Sequence, residues 1–192
     1  MVHPEQQRCQ AEYPAQILLD FRMPPRHSNS SPDPHIHTRI QQIQDITMSL
    51  LPPGQSETRK FPSVGETAPP TSMTPDNWRL IVEGELEAPF ELTYREFLVL
   101  PQQTLLMDVH CVTGWSHFGM TFEGVPLATL LERAQPRPVA RFVRFLAYSG
   151  RGHDTSLPLD LAREQCWLVH RADGAPLTPE HGGPLRVVTP GK

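Results

Sequence analysis

The chain has 192 residues, 38% hydrophobic and 20% charged, with a formal net charge of −4, which are the proportions of a single globular domain rather than a fibre. No run approaches the roughly 18 consecutive apolar residues of a membrane span, and the first residues lack the basic and apolar regions of a secretory signal, so a cytoplasmic location is expected. No stripe of lysine or arginine is interleaved with aromatics, which argues against nucleic acid and leaves a small molecule or a protein as partner.

More than half of the 22 prolines fall in residues 1–75, where no apolar period is sustained. Residues 1–47 read as disordered or as a spurious N-terminal extension, with Met48 as a natural start. Residues 48–75 read as an extended proline-rich arm able to lie across a domain. The folded domain is expected over 76–192, opening with the β-rich Trp78-Arg79-Leu80-Ile81-Val82-Glu83-Gly84. Thr93 and Glu96 form a capping box, with Leu92 and Phe97 as a hydrophobic staple, so a short helix starts at Tyr94 and stops before Pro101. Residues 104–111 alternate, putting Leu105, Met107, Val109 and Cys111 on one face and Thr104, Leu106, Asp108 and His110 on the other; this is a strand, and a loop is expected after it. Pro126 at a first helical position, followed by Leu127, Leu130, Leu131 and Ala134, gives an amphipathic helix. Strands follow at Arg141 to Tyr148, at Trp167 to His170 before an Asp173-Gly174 turn, and at Leu185 to Val188. Strands outnumber helices and their connections are short, so the class is α+β, with a mixed, largely antiparallel sheet and short helices.

Three cysteines, Cys9, Cys111 and Cys166, are odd in number and contain no Cys-x-x-Cys pair, which argues against a disulfide framework and a structural zinc site. His110-Cys111-Val112-Thr113-Gly114-Trp115-Ser116 places one thiol where an apolar strand hands over to a loop, held yet reachable. A soft metal takes a thiolate, and one suffices where a cofactor supplies the other ligands. A buried cysteine that serves as a small hydrophobe fits the same pattern.

Four segments stand in the order and spacing of the molybdopterin-binding domain of the sulfite oxidase family. They are His110 to Ser116, Met120 to Leu127, His153 to Leu159 and Glu180 to Lys192; with the arm from Leu51 and the Asp76-Asn77-Trp78 entry, the chain resembles the short bacterial sulfite oxidase-like branch from about residue 52 to its end. The resemblance implies a sulfite oxidase-type fold, a molybdenum–molybdopterin cofactor and oxygen-atom transfer, either sulfite oxidation or reduction of a sulfoxide or N-oxide. It implies Cys111 as the molybdenum ligand, with Arg186 near the pterin phosphate and His110, Thr155 and His181 as cofactor contacts. A guanidinium fork suits a phosphate. Trp115 is expected to pack and fix the ligand loop. Relatives run on past the Pro-Gly-Lys segment, so a C-terminally incomplete domain is expected. The resemblance implies a small-molecule substrate, and, since no haem motif is present, a separate electron-transfer partner. Two readings stand beside this one: a cysteine hydrolase pairing Cys111 with His153, His170 or His181, and a non-catalytic truncated remnant. A zinc site of Cys111, His110 and His117 is disfavoured, because adjacent strand residues face opposite ways.

Overall fold

The computed structural model describes residues 15–20, 51–63, 74–111, 113–148 and 152–190. In chain order they form β1 (Ala15–Asp20), β2 (Ser56–Glu57), β3 (Arg79–Gly84), β4 (Phe90–Thr93), α1 (Tyr94–Val99), β5 (Gln103–Cys111) and β6 (Trp115–Pro126). There follow α2 (Leu127–Ala134), β7 (Phe142–Leu146), β8 (Asp154–Pro158), α3 (Leu159–Gln165), β9 (Trp167–Ala172), β10 (Ala175–Pro176), a 3-10 turn (Pro179–His181) and β11 (Arg186–Val188). The class is α+β, mixed and largely antiparallel as expected, but the strands divide between two sheets. One runs β4-β3-β1-β7-β8; the other runs β10-β9-β6-β2, with β11 also on β9 and β5 also on β6. Two pairs among the described strands are parallel, β1 with β3 and β2 with β6.

The capping box opens α1 as expected: Glu96 N–H donates to the Thr93 hydroxyl at 3.1 Å, and Thr93 N–H donates to the Glu96 carboxylate at 2.7 Å. Phe97, the staple residue, is fully buried. In α2, Leu127, Leu130, Leu131 and Ala134 are the buried face; Pro126 sits one place earlier than expected, as the N-cap and last residue of β6.

Three elements depart from expectation. The segment after Cys111 is the 12-residue strand β6 rather than a loop; its two internal glycines disguise it, since glycine weakens strand propensity. One of them is required by packing, because a Cβ on Gly124 would fall on the Leu168 carbonyl and 2.6 Å from the Val169 Cα of the neighbouring strand. Residues 154–165, for which no element was expected, form β8 and the short α3. Residues 15–20 form β1, inside the stretch expected to be structureless. The rest of 1–50, and 64–73 of the arm, lie outside the described residues, as do Val112, 149–151 and 191–192.

Two apolar clusters hold the sheets. Trp78, Leu80, Val82, Phe97, Leu131, Val143, Phe145 and Leu168 belong to the larger, which draws on both sheets and the helices. Met120, Phe122, Val169, Leu177 and Val188 form the smaller, with Phe61, Leu105, Met107 and Val109 packed against it. Leu168 and Val169 are neighbours on β9 and feed different clusters, because successive strand residues face opposite ways. The alternation expected in β5 is present, with Leu106 exposed and Leu105 and Met107 half-buried, although a bulge between Met107 and Val109 shifts the pairing with β6. None of the helices described is long and apolar enough to cross a membrane.

His170 on β9 is buried with its ring edge-on to Tyr94 and Phe97. Its Nε2 has no hydrogen-bond partner among the described residues and lies 3.9 Å from the Glu123 carboxylate. Burial holds the imidazole below its ordinary value, assisted by Arg171 and opposed by Glu123. The unfolded chain therefore binds a proton more readily than the folded one. Stability is expected to fall as the pH drops through about 6.5, and to stop falling below the depressed folded value. Urea unfolding between neutral and mildly acid pH checks this. Replacing His170 by Gln should flatten that part of the profile, and an unchanged slope would refute the assignment.

Candidate functional site

β5 delivers Cys111 to the end of a hairpin whose return strand starts at Trp115. Across the pair, Cys111 faces Trp115, His110 faces Ser116 and Val109 faces His117. The connecting turn is closed by Gly114 N–H donating to the Cys111 carbonyl at 3.0 Å, with Gly114 at φ 91°, a conformation that favours glycine. The Cys111 thiol is half-buried and lies 3.1 Å from the Thr113 hydroxyl. It is therefore neither a sealed core residue nor a fully solvated one. Cys166, by contrast, is buried, and burial raises its thiol.

The proline-rich arm crosses this hairpin end. Ser56 N–H donates to Gly114 O at 2.9 Å and Thr58 N–H to Ser116 O at 2.8 Å, which makes β2 a short parallel neighbour of β6. The Gln55 side chain reaches the Cys111 carbonyl at 3.0 Å. Further along, the Phe61 ring stacks on His181 at 4.4 Å and 18° and meets Trp115 edge-on at 6.3 Å. The arm thus touches the thiol loop and the C-terminal segment together.

In that segment, the Arg186 guanidinium donates to the His181 carbonyl at 3.1 Å and lies 5.6 Å from the Phe61 ring centre. It has no carboxylate partner among the described ion pairs. Burial lowers its proton affinity, while the guanidinium stays charged. A desolvated cation favours a negatively charged partner. His181 is spoken for: its Nε2 is 2.7 Å from the Phe61 carbonyl, which only accepts, and its Nδ1 is 2.8 Å from the Thr178 hydroxyl. Both ring nitrogens serve the arm and the turn, so the contact expected of His181 with a ligand is not offered by a free ring nitrogen.

The structure brings Cys111, His110, His181 and Arg186 into one connected region through Gln55 and Phe61. Thr155 stands apart, exposed on β8, the edge of the other sheet, and paired with Phe145. Gln55 and Phe61 were not foreseen as site residues, since a proline-rich arm expected to lie across a domain does not say which residues it meets; Ser116 figured only as the end of the Cys111 segment. Two further features lie beside Cys111. Trp115 Nε1 and His117 Nδ1 are buried without hydrogen-bond partners among the described residues, and alternation along β6 puts both on one face. No group of three His, Cys, Asp or Glu side chains among the described residues is arranged to hold a metal.

Residues 66–192 match the family model for the oxidoreductase molybdopterin binding domain. The chain is 35% identical over 141 residues to the oxidoreductase YuiH of Bacillus subtilis, covering 73% of this chain and 70% of that protein. It is 26% identical over 136 residues to the protein-methionine-sulfoxide reductase catalytic subunit MsrP of Ralstonia nicotianae, covering 63% of this chain and 41% of that one. Among solved structures, the sulfane dehydrogenase SoxCD of Paracoccus pantotrophus shares the fold, with a TM-score of 0.58 at 24% identity over 62% of this chain and 35% of that chain.

Proposed function

Because the chain belongs to the oxidoreductase molybdopterin binding domain family, we propose that Cys111 is the protein's ligand to molybdenum and that Arg186 receives the cofactor's phosphate. The observation that carries this reading is the half-buried thiol at the end of β5, tied by a single arm to a half-buried guanidinium that has no carboxylate partner among the described residues. The donor set fits such a group. A thiolate is a soft ligand for one molybdenum position, while the fork of Arg186 suits a phosphate. The buried indole N–H of Trp115 can only donate, and so calls for an acceptor from the ligand.

When bound, the cofactor supplies two-electron oxygen-atom transfer. The chain's part is to bind and orient. The hairpin turn and the arm hold the Cys111 backbone so that the thiol is presented in one direction, and the small cluster under β5 keeps water from that side of the strand. Sulfur-centred small molecules are the proposed substrates, by sulfite oxidation or sulfoxide reduction, with an N-oxide as the other oxygen donor. The names of the MsrP and SoxCD relatives support sulfur chemistry. Electrons are proposed to pass to or from a separate protein. The free thiols Cys111 and Cys166 suit a reducing compartment such as the cytoplasm.

The test is molybdenum content by mass spectrometry, on protein made in a host that synthesises the pterin cofactor, beside Cys111→Ala. Near-stoichiometric metal in the parent and at least a tenfold loss in the variant is the expected result. Equal metal in both, or none in a folded parent, would overturn the assignment.

A further inference from the structure

Gln55 is engaged at both ends of its amide. Its Nε2 donates to the Cys111 carbonyl at 3.0 Å, and its Oε1 accepts from the Ser116 hydroxyl at 3.0 Å. Ser116 is fully buried, and its oxygen lies 2.8 Å from Nδ1 of His110. The direction of each bond follows from the one before. A carbonyl only accepts, so the amide must turn its NH2 group to Cys111 and its oxygen to Ser116; the usual ambiguity between amide oxygen and nitrogen is removed. Ser116 has a single hydroxyl hydrogen, and the Gln55 oxygen takes it. Toward His110 the serine therefore presents a lone pair, and Nδ1 has to carry the hydrogen. A neutral imidazole protonated at Nδ1 has a bare Nε2.

We propose that Gln55 is a positioning residue which, through Ser116, fixes His110 as the Nδ1–H tautomer and so leaves its Nε2 as a hydrogen-bond acceptor at the rim of the Cys111 loop. His110 is exposed, with its ring edge-on to Phe118 at 5.9 Å, so the acceptor is reachable from outside. It suits a ligand that brings an N–H or O–H donor and disfavours one that brings only acceptors. Gln55 also gives the Cys111 carbonyl a second donor beside Gly114 N–H, so one side chain fixes both the thiol-bearing residue and the tautomer of its neighbour. That a ligand sits at this rim rests on the function proposed above. The tautomer does not, because it is set entirely within the chain.

The experiment is long-range proton–nitrogen NMR on the metal-free full chain with 15N-labelled histidine, at mildly alkaline pH, with His110→Gln assigning the signal. The parent should show the hydrogen on Nδ1. Gln55→Leu frees the serine hydrogen to point at His110, and Ser116→Ala removes the relay; both should move the hydrogen to Nε2 in most molecules. Gln55→Glu keeps an acceptor for Ser116 and should retain the parent tautomer, which a mere anchoring role for the glutamine would not require. The His170 signal, from a ring packed on Tyr94 and Phe97, reports that each variant is folded. Hydrogen on Nε2 in the parent, or a tautomer unmoved in folded Gln55→Leu, overturns the proposal. The expected pattern in a parent that binds no molybdenum would support the relay while overturning the proposed function.

Discussion

Gly124→Ala is expected to destabilise the protein by at least about 3 kcal/mol, a large part of the 5–15 kcal/mol that holds an ordinary domain. The added methyl would meet the Leu168 carbonyl and the Val169 Cα, and both are backbone atoms of a paired strand. A crowded side chain can turn to another rotamer, but a strand can yield only by moving away, which opens the β6–β9 ladder at its bulge. Leu168 and Val169 feed the two apolar clusters, so both would loosen together. Gly119→Ala is the control. Its φ of 65° strains any side chain, yet no atom lies within 4 Å of the added carbon, and a cost of about 1–2 kcal/mol is expected. Urea unfolding of the two variants checks the contrast; a Gly124→Ala no weaker than Gly119→Ala would mean the strands are not so closely set.

Arg186→Met is expected to do two things in opposite directions. The metal-free protein should keep its stability to within about 1 kcal/mol, since the lost hydrogen bond to His181 O is offset by removing a desolvated cation with no carboxylate partner among the described residues. Retention of the molybdenum cofactor should fall by about tenfold to a hundredfold, the worth of a charge-assisted hydrogen bond of about 1.5–3 kcal/mol. Arg186→Lys, with the charge but not the fork, should fall between. Thermal unfolding of metal-free protein and cofactor content after extended dialysis give the two readings. Intact retention together with a large loss of stability would make Arg186 a structural residue and remove it from the site.

Local signals carried much of this architecture. The Thr93–Glu96 box, the leucine spacing of α2 and the alternation of β5 are decided by neighbours within a few positions, and each is found where the sequence puts it. What was hidden depends on distant partners. β6 looks broken because Gly124 reads as a turn until Leu168 is seen against it, and β8 and α3 are short and carry few apolar residues. The site divides likewise. Cys111 was visible from its place at a strand end, whereas Gln55 acquires a role only from a carbonyl 56 positions ahead, and Phe61 from a histidine 120 positions ahead. His181 was expected as a cofactor contact because the family resemblance implied it, not from any signal in its glycine-rich loop. Only the fold reveals that Phe61 and Thr178 hold both its nitrogens.

Strand β1 pairs through Ile17 with Val82 on one side and with Phe145 on the other. The five-stranded sheet is therefore continuous only through six residues of the chain's opening segment, and until these arrive its halves are the separate ribbons β4–β3 and β7–β8. A two-stranded ribbon is marginal in water, and closing so long a stretch of chain is slow compared with forming a hairpin. During that interval β3 and β7 each present an open row of backbone donors and acceptors. An extended segment of another molecule fits that row as well as the chain's own strand does, so the order in which the halves and β1 meet governs how much of the protein escapes aggregation.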